Sequence, residues 1–482
     1  MTVLARILKI TACALLSLVL IAAIAFGCLV AANRHDDPLG EAAQQALQYA
    51  MPTEQALQDN GYLIVAGMDA PDNGSPTANA MALGRQRLER AVERLLWKHQ
   101  PGSKNMADIP PWIAQNDGYT KALPALQCPK EHTDCFAWYV EQKAQVQALL
   151  QRNQVLLARY RAAANAAQFS DPFPYDFVGP LPPYSLMSNI HSLLLAQAAL
   201  QWMEQRPAQA LTTVELAARL RSRLGSSSKG LIESSFALAM QYRELRWVSQ
   251  AISHSDTAPP AAIAARIQAL LAQPLPPLHD AMATEKQAAI ATIVLTQHHT
   301  SSDYLVPDRD VLAEPRLWIL LLDRITGRGY LPIATINDTL RLMDLPQAMG
   351  DLPAGQLAKA VDDGELPQRI AQQCSLRAGL RNSVGRCMQA HSTPNLLQYF
   401  LRVHDIEGYR RLVLLQAQAQ AQKVTLAQMP AWLATSPPRL HNPYTLQAMQ
   451  WDATNNRLIF EGHERQSQHP QASPTYQIRL SP

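Results

Sequence analysis

The chain has 482 residues, a net charge of +3 and only 17% charged residues. That balance sets up no field strong enough to make nucleic acid a partner, and the length exceeds what one hydrophobic core organises, so two or more packed units are expected. Aromatic residues reach 6% while Ala, Leu and Gln abound, a mixture that favours closely packed helices.

The first element is the apolar run from Ile10 to Ala32, which contains no charged side chain. As a helix it covers roughly 34 Å, enough to cross a hydrocarbon core of about 30 Å. Arg6 and Lys9 precede the run, so residues 1–9 form a cytoplasmic tail, residues 10–32 a transmembrane helix, and the bulk of the chain is exported. Two alternatives remain. Cys28 is a candidate lipidation site, although Ala25 and Phe26 fit the usual residue order poorly, and a leader could be cleaved near Ala31-Ala32. The length of the run favours an uncleaved anchor over a short signal-peptide core.

Cysteine usage agrees with export. Cys13 and Cys28 lie inside the apolar run, while Cys128 with Cys135 and Cys374 with Cys387 form two local pairs. Closely paired cysteines in an exported chain read as disulfides, each contributing roughly 2–3 kcal/mol in the chain-entropy account. Neither pair has the short spacing of a zinc site, and His132 between the first two reads as a surface residue.

After the anchor, Leu39 to Asp59 reads as a helix interrupted near Pro52, followed by the segment Asn60 to Pro71, and Met81 to Trp97 reads as helix. Residues from His99 to Phe136 form an irregular stretch pinned by the first disulfide. Phe136 to Ala164 carries Val140, Val146, Leu149, Leu156 and Tyr160 on one face of a long helix. Together, residues 33–166 make a first helical unit.

Residues 167–184 form a connector rich in proline and aromatic side chains: Phe169, Phe173, Tyr175, Phe177 and Tyr184. These five are the candidate binding residues, as the lining of a groove for a peptide, a glycan or another subunit. The bland alternative is a connector whose rings plug the gap between two helical units.

Residues 185–440 read as a helical-hairpin unit, with four or five helices from Ser185 to His298. One starts at Pro207 and stops at Gly225. Beyond Pro307 come a helix from Leu317 to Ile325, the turn Gly327-Arg328-Gly329, two helices around the second cysteine pair, and a last long helix from Asn395 to Gln422. Residues 441–482 change character. Met449 to Asp452 and Arg457 to Glu461 flank Asn455-Asn456 as a β-hairpin, and Tyr476 to Leu480 is a third strand. The expected fold is mainly α, stacked helical hairpins in the manner of a solenoid, with a small terminal β-hairpin.

Several short motifs, namely Asn60-Gly61-Tyr62 with Gly67 and Asp69, Pro332-x-Ala-Thr-x-Asn337, and the terminal Asn442-Pro443-Tyr444 with Trp451-Asp452, resemble uncharacterised single-pass inner-membrane helical proteins of proteobacteria. The resemblance implies a bacterial inner-membrane setting and no particular chemistry.

Catalytic patterns are weak. Ser226-Ser227-Ser228-Lys229 contains the Ser-x-x-Lys spacing of penicillin-binding proteins, without its companion motifs; it reads as a helix start, with Ser228 as cap and Lys229 and Glu233 as an exposed pair. His298-His299 with Asp303 read as surface residues rather than a metal half-site, and His279-Asp280 with Glu285 as the acidic opening of a helix. No catalytic residue is assigned, and no cofactor or metal is expected. The expected role is a binding or scaffold protein of the envelope, with the inner membrane and envelope proteins as partners. An envelope hydrolase whose site assembles only in three dimensions is the rival, and a pocket holding titratable groups with shifted pKa values would favour it.

Overall fold

The computed structural model of the protein describes all residues but 1, 47, 100–109, 117, 120–122, 125, 127, 130–133, 175–180, 228, 256–259, 277, 297–329, 376–378, 380, 393–395, 465–473, 481 and 482. Among the described residues the fold is mainly α, with a three-stranded antiparallel sheet near the C-terminus. The chain divides into two compact units, each assembled from separate stretches. One comprises residues 1–48, 286–348 and 360–396; the larger comprises 49–285, 349–359 and 397–482.

The smaller unit begins with α1 (Thr2–Ala32). Its stretch Lys9–Ala32 is long and apolar enough to cross a membrane, and nearly all of it is exposed, with Leu16 at 76%. Cys13 and Cys28 are free and exposed on it. The reading of Leu39 to Asp59 as one interrupted helix resolves into two short pieces, α2 (Glu41–Ala46) here and α3 (Glu54–Leu57) in the larger unit.

Where α1 ends, polar side chains build a collar. Asp36 accepts from the Ile333 and Ala334 N–H groups at 2.8 and 2.9 Å. It thereby caps the first turn of the helix that Pro332 opens, with a carboxylate at the positive end of the helix dipole. Asn337 accepts from the Gly40 N–H and donates to the Pro38 carbonyl. Asn33 accepts from the Asn382 N–H at 2.7 Å, and Arg381 donates to the Ala32 and His35 carbonyls and to Asp37. The motif around Pro332 to Asn337 is thus a structural junction. The Cys374–Cys387 disulfide lies in the same unit, with helices on both sides of it. The expected helix from Leu317 to Ile325, the turn Gly327-Arg328-Gly329, and His298, His299 and Asp303 lie outside the described residues.

In the larger unit, α4 (Gly61–Ala66) is a six-residue helix with every residue buried. It crosses α5 (Pro76–His99) so closely that a Cβ on Gly67 would stand 1.9 Å from the Ala80 carbonyl oxygen, and one on Gly84 2.0 Å from that of Leu63. The run from Phe136 to Ala164 is not one helix. It breaks into α6 (Cys135–Glu141), α7 (Lys143–Arg152) and α8 (Gln154–Asn165), because Gln142 and Asn153 leave the helical region at ψ 13° and 28°. The Cys128–Cys135 bridge joins α6 to the segment before it.

Helices α9 (Tyr184–Met203), α10 (Pro207–Ser227), α11 (Leu231–Ser253) and α12 (Ala261–Leu271) follow as stacked hairpins, with α9 packed on α10, and α10 on α11 and α12. Helix α9 is buried on nearly every side, as an apolar helix at the centre of a unit must be. Helix α10 opens at Pro207 as expected but runs two residues past Gly225; that glycine instead makes room for Pro276, 2.9 Å from where its Cβ would be. The long helix α13 (Leu397–Ala421) packs against α11.

The terminal strands β1 (Gln450–Asp452), β2 (Arg457–Glu461) and β3 (Thr475–Arg479) form the sheet in the order β1-β2-β3, with Asp452 opposite Arg457. Asn456 sits at φ 54°, which asparagine tolerates in a turn. The sheet is tied to α13 through Asp405, which is fully buried and accepts from the Tyr444 hydroxyl and the His463 and Glu464 N–H groups. The Asn442-Pro443-Tyr444 motif therefore serves attachment of the sheet.

A side chain at position 84 has nowhere to go, since its nearest neighbour is a backbone carbonyl. Gly84→Ala should lower unfolding free energy by about 1–3 kcal/mol, while Ala82→Ser on the exposed side of α5 stays within about 0.5 kcal/mol. Urea denaturation of the two variants checks this; equal midpoints would reject the tight crossing.

Candidate functional site

Around α4, asparagine and arginine side chains fix the backbone. Asn60 is wholly buried and donates to the Ser170 carbonyl at 2.9 Å, while its Oδ1 accepts from the Tyr62 and Ser170 N–H groups. The Gly61 N–H donates to the Gln168 carbonyl at 2.9 Å, so the connector after α8 runs alongside the start of α4. Past α4, Arg87 grips Asp69 bidentately at 2.5 and 2.8 Å, and the Asn116 N–H donates to the same carboxylate. Arg159 donates to the carbonyls of Met68, Ala70, Pro71 and Pro76. These bonds compensate buried charges that would otherwise be costly.

The frame leaves a partly open cleft of about 90 Å³. Its floor is Tyr62 from α4 and Glu233 from the first turn of α11; Asp171 and Phe173 enter from the connector, Tyr184 from the start of α9, and Trp112 from the segment after α5. The Tyr62 hydroxyl donates to Glu233 Oε1 at 2.7 Å and the Tyr184 hydroxyl donates to the same oxygen at 3.1 Å. Glu233 Oε2 accepts from the Lys229 N–H at 3.1 Å. Asp171 Oδ1 accepts from the Phe173 N–H at 2.8 Å, and its carboxylate lies close enough to Tyr62 to act on the phenol electrostatically.

Burial pushes the Glu233 carboxyl up to about 8, and the neighbouring Asp171 adds to the rise against the three hydrogen bonds that favour its ionised form. Asp171 is raised less, to about 6, again by burial first, with the Lys229 charge, the Phe173 N–H and Tyr62 opposing. The phenol of Tyr62 is held well above its ordinary value by burial and by both carboxylates. Burial thus favours the neutral form of both carboxyls, more strongly for Glu233, and the two acids titrate as one coupled cluster with Tyr62 beside them. Two acids held apart in this way are the raw material of acid–base pairs.

Of the five aromatic residues expected to bind, Phe173 and Tyr184 line the cleft. Phe169 lies behind it, edge-on to Tyr62 at 6.0 Å and 2.6 Å from where a Cβ on Gly61 would be, so it fills the gap between connector and helix. Tyr175 and Phe177 lie outside the described residues, as do Ser228 and His132.

The reading of Glu233 as an exposed partner of Lys229 is corrected. Glu233 is buried, and it is the Lys229 backbone, not its ammonium, that it accepts from. The helix start is also corrected: Gly230, not Ser228, is the N-cap of α11. Ser226 closes α10 while Lys229 lies beyond that helix, so the Ser-x-x-Lys pair shares no helix face. Tyr62, Asp171 and Trp112 escaped the sequence reading altogether, although Tyr62 stands inside the Asn60-Gly61-Tyr62 motif.

Other polar groups serve the fold. Glu285 accepts from the Leu231 N–H at 2.9 Å, and His279 meets Asp280 on the surface at 3.7 Å. His191 is fully buried between Tyr160 and Glu244, and burial holds it near 3, hence neutral. Among the described residues no group of three His, Cys, Asp or Glu side chains is placed to hold a metal ion. Comparison of the chain with family models, curated proteins and solved structures finds no match in any of them.

The raised acids make stability pH-dependent with a definite sign. Between the ordinary glutamate value of 4.5 and about 8, folded protein keeps a proton that the unfolded chain has released. The contribution of Glu233 is therefore full in acid and is lost as pH rises through this window, and Asp171 acts in the same sense. Glu233→Gln should give a shallower decline between about pH 5 and about pH 8 in urea unfolding than wild type; equal slopes would place the proton elsewhere.

Proposed function

We propose that the chain is an inner-membrane protein of the bacterial envelope, held by α1 with its N-terminus in the cytoplasm, and that its exported part binds a small uncharged, hydroxyl-bearing ligand in the Tyr62–Glu233 cleft. Support for the orientation comes from Arg6 and Lys9 ahead of the apolar helix and from two disulfides, which persist in oxidising compartments. The reading of the ligand rests on one observation, the cluster of Tyr62, Asp171 and Glu233 between the rings of Trp112, Phe173 and Tyr184. Burial favours the neutral form of Glu233 and Lys229 offsets Asp171, so the cleft carries little net charge. Aromatic faces and carboxyl oxygens suit the C–H and O–H groups of a sugar-like molecule.

A second reading is favoured by the same pair. Glu233 as proton donor and Asp171 as base would serve hydrolysis of a glycosidic or ester bond, water supplying the hydroxyl to one product and a proton to the other. The two readings separate by experiment. A ligand-binding role predicts saturable quenching of tryptophan fluorescence by a mono- or disaccharide in a panel, weakened roughly tenfold or more in Tyr184→Phe or Glu233→Gln, the worth of one buried hydrogen bond. The hydrolytic role predicts product release with a bell-shaped pH profile, lost in Glu233→Gln and in Asp171→Asn. Neither binding nor turnover across the panel would reject the cleft as a site.

Orientation has its own test. Reporter fusions at the C-terminus should be active only when the reporter functions outside the cytoplasm, and Cys128, Cys135, Cys374 and Cys387 should resist alkylation before reduction. A cytoplasmic C-terminus would sink the proposed topology.

A further inference from the structure

A second cavity in the larger unit, of about 90 Å³, lies between α6, α9 and α11. Its polar walls carry Arg243 and Arg246, three residues apart on α11 and hence neighbours on one helix face. Arg243 is half-buried and donates to Ser188 and Ser192 hydroxyls at 2.7 and 3.0 Å; Arg246 donates to Cys135 Sγ at 3.3 Å. Neither forms an ion pair among the described residues, so two guanidinium charges face one partly enclosed space with no carboxylate from those residues against them. Elsewhere in this unit Arg87 is paired with Asp69 and Arg221 with Glu244, while Arg159 is satisfied by four backbone carbonyls. Burial, with Arg246 beside it, pulls the Arg243 pKa below its ordinary value. A third donor stands on the same wall. Trp247 is 4% exposed and its Nε1 is buried with no acceptor among the described residues.

An unmatched pair of like charges and an unsatisfied indole N–H are each destabilising where they stand. One acceptor-rich group between the two arginines would supply a countercharge to both, and guanidinium forks match the planar or tetrahedral oxygens of carboxylate and phosphate. Phe136, in ring contact with Trp247 at 5.4 Å, and Leu195 supply apolar wall beside them. We propose that the cavity between Arg243, Arg246, Trp247 and the Cys128–Cys135 disulfide is an oxyanion site, taking the carboxylate or phosphate group of a ligand whose apolar body lies on Phe136 and Leu195. The site is independent of the Tyr62–Glu233 cleft.

The test uses full-length protein in detergent micelles at constant ionic strength, with chloride as reference and inorganic phosphate or acetate as probe. The indole N–H resonance of Trp247, assigned through Trp247→Phe, should move on addition of anion, and the thermal midpoint should rise by about 2–4 °C. Phosphate acting alone identifies a phosphate group as the ligand; acetate acting alone identifies a carboxylate. Arg246→Gln, at a half-exposed position, should weaken the response about tenfold to a hundredfold, the worth of a charge-assisted hydrogen bond. A Trp247 resonance unmoved by either anion in wild-type protein overturns the proposal without reference to any variant. So does a response that survives in the Arg243→Gln/Arg246→Gln double variant.

Discussion

Burial of one short helix organises the larger unit. Helix α4 has six residues and all of them are buried, an extreme for so small an element, which on its own has too few hydrogen bonds to persist. It is held from outside. Gly67 and Gly84 let it lie backbone to backbone against α5, Asn60 ties its start to the connector, and Arg87 with Asp69 and Arg159 with four carbonyls satisfy the chain that leaves it. Two walls of the cleft are referred to this helix, because the segments carrying Asp171 and Trp112 are pinned near its two ends, and Tyr62 is part of it.

Much of the fold was legible. Periodic apolar residues marked the helices of the hairpin unit, and the spacing of Cys128 with Cys135 and Cys374 with Cys387 marked the two bridges. Two alternating runs around Asn455-Asn456 marked the terminal strands. What misled was local reading of residues whose role is set at long range. The stripe from Phe136 to Tyr160 is continuous in sequence, yet Gln142 and Asn153 break it into three helices, and Val140, expected on the buried face, is 42% exposed while Tyr139 is buried. Gly225 has the character of a helix stop, but Pro276, fifty-odd residues on, gives that glycine another reason to be small.

The candidate site shows the same limit more sharply. Four residues after a lysine, at the start of a helix, a glutamate has the signature of a solvated pair, and Glu233 has that signature. Its burial is decided by Tyr62 and Tyr184, which come from positions 171 and 49 residues away in the chain. Aromatic density in the connector did point to the right neighbourhood, since Phe173 and Tyr184 line the cleft, but it could not separate them from Phe169, which packs against Gly61. Long-range pairing of acids with phenols leaves no periodic trace.

The collar at the end of α1 bears on how that helix joins the rest of the smaller unit. Asn33, Asp36 and Asp37 bind side chains and backbone from positions 333 to 382, and Arg381 reaches the carbonyl of Ala32 itself. The apolar helix therefore does not end in a slack linker: its last turn is bolted to the residues around Pro332. In the proposed topology, tilting of the helix would be transmitted as torque to those residues, and a few flexible residues inserted between Ala32 and Asp36 would uncouple the two.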